Sequence, residues 1–427
     1  MNEIIEDLFK IYLSSLDSYN SKIYQTKNDK YTIIDKAMLT IYLFVKIIED
    51  RNEKNQEVTD VLCNYLLKQI IYGETGNLAF EISDKSKIQL YHEILDKLII
   101  DKFEYKNRIM QKLKYNYKTI KLNKYSELLM FLENVADYAV LGKMLLRGNQ
   151  EIVSLFDETK NKIISELSNM NEDSHFYKEK KQIIDLIIDN KFNESQYGNL
   201  MNVVLNLKDV YRYSIFVTLV PENVLFHQYS VTIMSLLLVE YCHKELKEDI
   251  DIYKIIVKSL FHDFGEFKGT EIVTQIKNYN DVTKKMFAEI EENDEKELEG
   301  KIGENLYNII SEYKYGAEGY ISEMVDKMLG IMKLWVEVGY FHNYNSIKTI
   351  TSIYQDRFKR FLRIENIDEL KNKDFYLNLL REYYIYIKEH LVEQDLEYFF
   401  RYFTKEELIE FREEIALLNN NPEAFLK

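Results

Sequence analysis

Apolar residues return every three or four positions through most of the chain, the spacing that lines one face of an α-helix. Ile33, Ile34, Met38, Ile41, Phe44, Val45 and Ile48 form one such stripe, and Val231, Met234, Leu238 and Tyr241 another; both predict buried helices. Only 2 prolines and 13 glycines interrupt 427 residues, too few breakers for an architecture of strands and turns. The expected fold class is all-α. Asn/Asp/Gly-rich patches at 169–174, 190–199 and 278–281 are the expected loops, and none has the length or simplicity of a disordered linker.

The chain exceeds one ordinary helical domain, and comparing it with itself suggests where it divides. Leu67-Lys68-Gln69-Ile70-Ile71-Tyr72-Gly73 parallels Val257-Lys258-Ser259-Leu260-Phe261-His262-Asp263, and each stretch runs on to Glu-Ile, at Glu81-Ile82 and Glu271-Ile272. Val135-Ala136-Asp137 parallels Met324-Val325-Asp326, and Asp17, Tyr19, Ile23 and Tyr24 parallel Asp209, Tyr211, Ile215 and Phe216. The three matches keep nearly constant separation, as a tandem duplication with its boundary near 190–200 predicts. The expected units are residues 1–195 and 196–427.

Composition narrows the function classes. A formal net charge of −15 argues against general nucleic-acid binding, which draws its affinity from Lys and Arg. No stretch reaches the roughly 18 consecutive apolar residues of a membrane span, and the acidic N-terminus lacks a signal peptide's basic segment. Cys63 and Cys242 sit in apolar helical patterns without metal-ligand spacing, and are expected as reduced core thiols. The expected address is the cytoplasm.

The candidate chemistry lies in the C-terminal half. His262-Asp263 closes an apolar helical run, and Glu266 follows three residues later, on roughly the same side if the turn stays helical. A His-Asp pair alone is most often a surface or capping dipeptide. Here His227 stands upstream beside another apolar helix and Asp326 downstream on a third, so four ligands from three helices can surround one pocket. Imidazole and carboxylate donors suit a divalent ion of the Mn, Co, Mg, Fe or Ni class, among which the residues do not choose.

These residues resemble the HD-domain phosphohydrolases, and within them the YfbR-like bacterial 5′-deoxynucleotidases. Leu207-Lys208-Asp209-Val210-Tyr211-Arg212-Tyr213 is similar to that family's leading helix and its Arg-aromatic pair. Glu222-Asn223-Val224 followed by His227 resembles its Glu-Asn-Val-x-x-His signature, and His262-Asp263-x-x-Glu266 its His-Asp-x-x-Glu core. Glu271 falls where the family has Asp, Thr274 and Lys277 fit the following Thr and Lys, and Asp326, Lys333 and Glu337 fit the closing helix. The likeness spans about residues 200–345. Three departures are expected to line the nucleotide side of the pocket: Tyr213 for Trp, Leu225-Phe226 for Ser-Glu, and Ile272-Val273-Thr274-Gln275 for a proline-containing stretch.

The resemblance implies one divalent ion held by His227, His262, Asp263 and Asp326, with Glu266 as proton carrier and Arg212 as phosphate clamp. It also implies Tyr213 beside the base or sugar and Glu271 on the sugar 3′-hydroxyl, with Thr274 and Lys277 near the substrate. The implied activity is hydrolysis of (deoxy)nucleoside 5′-monophosphates. Two alternatives stay open: an HD phosphodiesterase or triphosphohydrolase acting on cyclic or oligonucleotide signals or dNTPs, and a metal-holding regulatory nucleotide-binding protein. In the N-terminal half Tyr72-Gly73 replaces His-Asp, Gly76 replaces the Glu, and Asp35 or Ala37 falls where the first His belongs. That half is expected as a degenerate HD-like domain, packed on the active one as an intramolecular pseudo-dimer, with further homo-oligomerisation left open. His92, His175, His243, His342 and His390 have no carboxylate at suggestive spacing, and residues 345–427 carry no identifiable chemistry.

Overall fold

The computed structural model describes residues 2–20, 22–25, 29–75, 123–213, 218–242, 249–268 and 280–337, together with a few positions between 374 and 386. The fold is all-α, as the periodicity predicts. The first half runs α1 (Asn2–Asn20), β1 (Lys22–Gln25), β2 (Lys30–Thr32), α2 (Ile33–Asp50), α3 (Gln56–Thr75), α4 (Lys124–Leu146), α5 (Val153–Asn169) and α6 (Tyr177–Ile188). The second runs α7 (Gln196–Asp209), β3 (Tyr211–Arg212), β4 (Glu222–Asn223), α8 (Val224–Cys242), α9 (Ile252–Phe261), α10 (Asp281–Ile302), α11 (Glu304–Ser311) and α12 (Gly316–Trp335). Each half therefore opens with a helix, a short antiparallel strand pair and a second helix.

Local chemistry fixes where these helices start. Thr32 and Asp35 form a capping box at the head of α2, and the Asn223 side chain accepts a 2.7 Å bond from Phe226 N at the head of α8. Ser195 and Asp251 cap α7 and α9 in the same way, satisfying amides that have no partner within the helix. The loop expected at 190–199 is accordingly shorter, because Ser195 already starts a helix.

Helix α8 is buried on all sides from Val224 to Val239, including its polar Gln228, Ser230, Thr232 and Ser235. A helix without a solvent face belongs at the centre of a packed body. It touches α9 and α12 of its own half and α1 and α2 of the other. Contacts between the halves are reciprocal: α1 packs on α8, and its counterpart α7 packs on α2. A single cluster of buried apolar residues runs from Ile5 through α2, α4, α8 and α12. Tyr383 joins it; its hydroxyl donates to Met328 O at 2.7 Å and its ring stacks against Phe9 of α1.

Candidate metal centre

Antiparallel pairing of Tyr211–Arg212 with Glu222–Asn223 places the Arg212 backbone opposite Glu222, immediately before α8. That start makes His227 the fourth residue of the helix, 1% exposed. The loop feeding β4 is pinned from α12: Glu337 accepts from Leu219 N at 2.8 Å and Val220 N at 2.9 Å, while Lys333 donates to Val220 O and to Glu337. The buried Lys333–Glu337 pair thus fixes the segment that delivers His227 and is not itself at the donor cluster.

Four donors meet between α8, the end of α9 and α12. One atom from each of His227, His262, Asp263 and Asp326 lies within 4.8 Å of the others. His227 Nε2 is 2.9 Å from Asp326 Oδ1 and 3.7 Å from Asp263 Oδ2, and His262 Nε2 is 3.2 Å from Asp263 Oδ2. Both imidazoles are oriented from behind. His262 Nδ1 donates to Ser259 O at 2.7 Å, and His227 Nδ1 donates to Glu222 Oε1 at 3.1 Å. Because a carbonyl and a carboxylate can only accept, both Nδ1 atoms carry protons, and both Nε2 atoms face the cluster, His227 Nε2 in hydrogen-bond contact with Asp326 Oδ1. His262 Nε2 is buried without a hydrogen-bond partner, as a ligand atom awaiting an ion would be. The donor set fits a divalent cation of mixed N/O preference.

Arg212 closes one side. Its Nη1 lies 2.5 Å from Asp263 Oδ2, Nη2 3.7 Å from Asp326 Oδ1 and Nε 3.6 Å from Glu222 Oε1. Burial pushes the Asp263 and Asp326 carboxyls up, but their neighbours outweigh it: His262 and Arg212 hold Asp263 well below the usual range, and Lys327, the hydrogen bond to His227 and Arg212 do so for Asp326. Burial lowers an imidazole, yet Asp263 and Asp326 together raise His262. Glu222, desolvated but bonded to His227, is held down to about 2. Next to Arg212, Tyr213 takes φ 59, a left-handed conformation uncommon for a side chain of this size.

Residues 199–349 match the family model described as 5′-deoxynucleotidase YfbR-like. No curated protein and no solved structure matches the chain. The YfbR-like segment contains all four donors, Arg212 and Glu266; residues 1–198 lie outside it. The match is to a hydrolase family of the HD type, for which a divalent metal is expected. Among the described residues no helix is long and apolar enough to cross a membrane.

Glu266 lies in a 3-10 turn, Phe264–Lys268, with its amide donating to Asp263 O at 3.1 Å. The turn stays helical, as its expected placement beside Asp263 requires. Glu271, Thr274, Lys277 and the stretch 272–275 fall outside the described residues, as do Gly76, His92, His243, His342, His390 and the Cys242 side chain. One expectation is corrected. Leu225 and Phe226 do not line a nucleotide pocket: both are 0% exposed, and the Phe226 ring packs on Tyr19 at 4.4 Å and Tyr12 at 6.2 Å. On a helix, neighbours of His227 in sequence turn about 100° away from it, here into the seam with α1.

Two residues escaped the sequence. Tyr313, in the turn before α12, is pushed upward first by burial and then by the charges of Asp263, Asp326, Glu323 and Glu266, which sets its phenol in the field of the donor cluster. Gly319 admits that turn, since a Cβ there would collide with the Tyr313 and Lys314 backbone. Tyr12 of α1 donates to Glu222 Oε2 at 3.0 Å. Neither belongs to a motif, and Tyr12 is separated from Glu222 by most of the N-terminal half.

Proposed function

We propose that the YfbR-like half is a metal-dependent phosphomonoesterase acting on (deoxy)nucleoside 5′-monophosphates. The carrying observation is the convergence of His227, His262, Asp263 and Asp326 on one point, all within 4.8 Å, beside a buried guanidinium. These four residues would hold one divalent ion, which when bound polarises a phosphoryl group toward attack. Arg212 faces the same space; its planar fork suits the oxygens of a phosphate, with Asp263 and Glu222 keeping it oriented between turnovers. Half-buried Glu266 stands one turn beyond Asp263, where a carboxylate can carry the proton between water and the leaving alkoxide. Tyr213 borders Arg212, its ring 5.8 Å from the guanidinium carbon, and would flank the base or sugar.

The same reading covers the whole chain. Residues 1–195 and 196–427 form two halves of a tandem duplication, packed as an intramolecular pseudo-dimer in which the first half buttresses the second. The repeated element order, the reciprocal packing of α1 on α8 and α7 on α2, and the shared core support it.

Metal-loaded protein incubated with nucleoside mono- and triphosphates and cyclic dinucleotides tests the activity. Inorganic phosphate should appear from monophosphates alone. Glu266→Ala should keep its metal while turnover falls about 10²- to 10⁴-fold. Undiminished turnover in that variant removes the role given to Glu266, and tripolyphosphate from triphosphates or linear dinucleotides from cyclic ones, in place of phosphate from monophosphates, moves the chain to a different reaction of the same superfamily.

A further inference from the structure

We infer that Tyr12, from the N-terminal half, is a positioning residue of the metal site, acting on His227 through Glu222. The inference rests on the proposed metal-dependent reading and names the contact by which the first half serves the second. Tyr12 OH lies 3.0 Å from Glu222 Oε2, and Glu222 Oε1 lies 3.1 Å from His227 Nδ1, whose Nε2 faces the other donors. All three side chains are buried, at 2%, 3% and 1% exposure. No solvent can replace a lost donor cheaply in such a place.

Glu222 is the hinge of the arrangement. One oxygen serves His227 and lies 3.6 Å from Arg212 Nε, and the other is held by Tyr12. Its rotation therefore sets the direction of a donor imidazole and the seat of the guanidinium together. The phenol is kept neutral by burial and by Glu222 itself, so it donates at any physiological pH. The Tyr12 ring is fixed independently by Phe226, at 6.2 Å between centroids, one residue before His227. Partners behind a metal ligand hold its orientation and tautomer; Tyr12 extends that support across the seam between the halves. The N-terminal half, whose described residues bring no such group of donors together, thereby still bears on the site.

A matched pair of variants separates this from a purely structural role. Tyr12→Phe keeps the ring on Phe226 and removes the donor. Tyr253→Phe removes another buried Tyr–Glu bond across the same seam, 2.8 Å to Glu49 Oε1, a carboxylate whose other partner is Lys54 and not a donor residue. Divalent-ion affinity is measured by titration with Co²⁺, together with the cobalt absorption bands and melting curves. Both variants should lose similar thermal stability without metal. Only Tyr12→Phe should bind Co²⁺ more weakly and shift its bands. The expected loss is about 3- to 10-fold, below the roughly 10- to 100-fold seen when a ligand's direct partner is removed. Parental affinity and bands in Tyr12→Phe, or equal changes in Tyr253→Phe, overturn the inference while leaving the proposed function standing. A parent protein that takes up no divalent ion overturns both.

Discussion

Carboxylates at two places in this molecule are held ionised by quite different means. Asp263 and Asp326 are desolvated and depend on Arg212, Lys327 and the imidazoles, so any cation added among them acts in a low dielectric. Glu53 lies nearer the surface, where Arg51 Nε at 2.9 Å, Lys124 Nζ at 3.1 Å, Tyr125 OH at 2.9 Å and His175 Nε2 at 2.5 Å converge on it. Desolvation raises its carboxyl, but these donors outweigh it and bring the value from 4.5 to about 2. Because the folded value is the lower one, the stabilisation is fully present above pH 4.5 and fades as pH falls toward about 2. Glu53→Gln should therefore be less stable than the parent in urea at pH 5–7, with the gap closing as acid is added; a gap that widens below pH 4 contradicts the assignment. Sequence could not announce this cluster: His175 and Glu53 meet across 122 positions, whereas His262, Asp263 and Glu266 were legible because one turn of chain carries all three.

At the scale of elements, α2 and α8 invite comparison, since each follows a short antiparallel strand pair. The fourth residue of α8 is His227; the fourth of α2 is Lys36, between the Asp35 and Ala37 expected at that place. Lys36 Nζ lies 2.7 Å from Asp137 Oδ2, while His227 Nε2 lies 2.9 Å from Asp326 Oδ1. An ammonium group thus neutralises the aspartate of α4 that parallels Asp326, and a divalent ion there would meet a fixed positive charge. Elemental analysis of protein saturated with metal and then desalted should find one divalent ion per chain, and two per chain would show that the first half has kept a site of its own. The helices themselves were legible as periodic stripes. The strands β1–β4 were not, because two to four residues are too few for alternation to register. Leu225-Phe226 was misplaced for a related reason: sequence spacing gives no direction until the neighbouring helix is known.

For the molecule as a whole, repetition and independence part company. Recurring segments led the sequence reading to expect two units, yet the buried apolar cluster runs through both stretches without a break. Tyr42 of α2 lies 2.5 Å from Leu260 O and 4.9 Å ring-to-ring from Phe261, and Tyr229 of α8 donates to Leu66 O at 3.0 Å. Separating the halves would strand these groups and expose much of α8, which has no solvent face to fall back on. Unfolding should therefore be a single cooperative event despite a length at which chains commonly melt in stages. Trp335 is the single tryptophan and ends α12, so its fluorescence follows the second half, while far-ultraviolet circular dichroism follows every helix. The two melting curves should coincide. Divalent metal at about 100 times its dissociation constant should shift both upward together, by an amount corresponding to about 2.7 kcal/mol, since an ion bound only by the folded second half stabilises whatever unfolds with it. A dichroism curve with an early step that metal does not move, ahead of the tryptophan transition, would mean that residues 1–195 melt alone. The first half could then contribute to the site only below that step, and the buttress reading would fail above it.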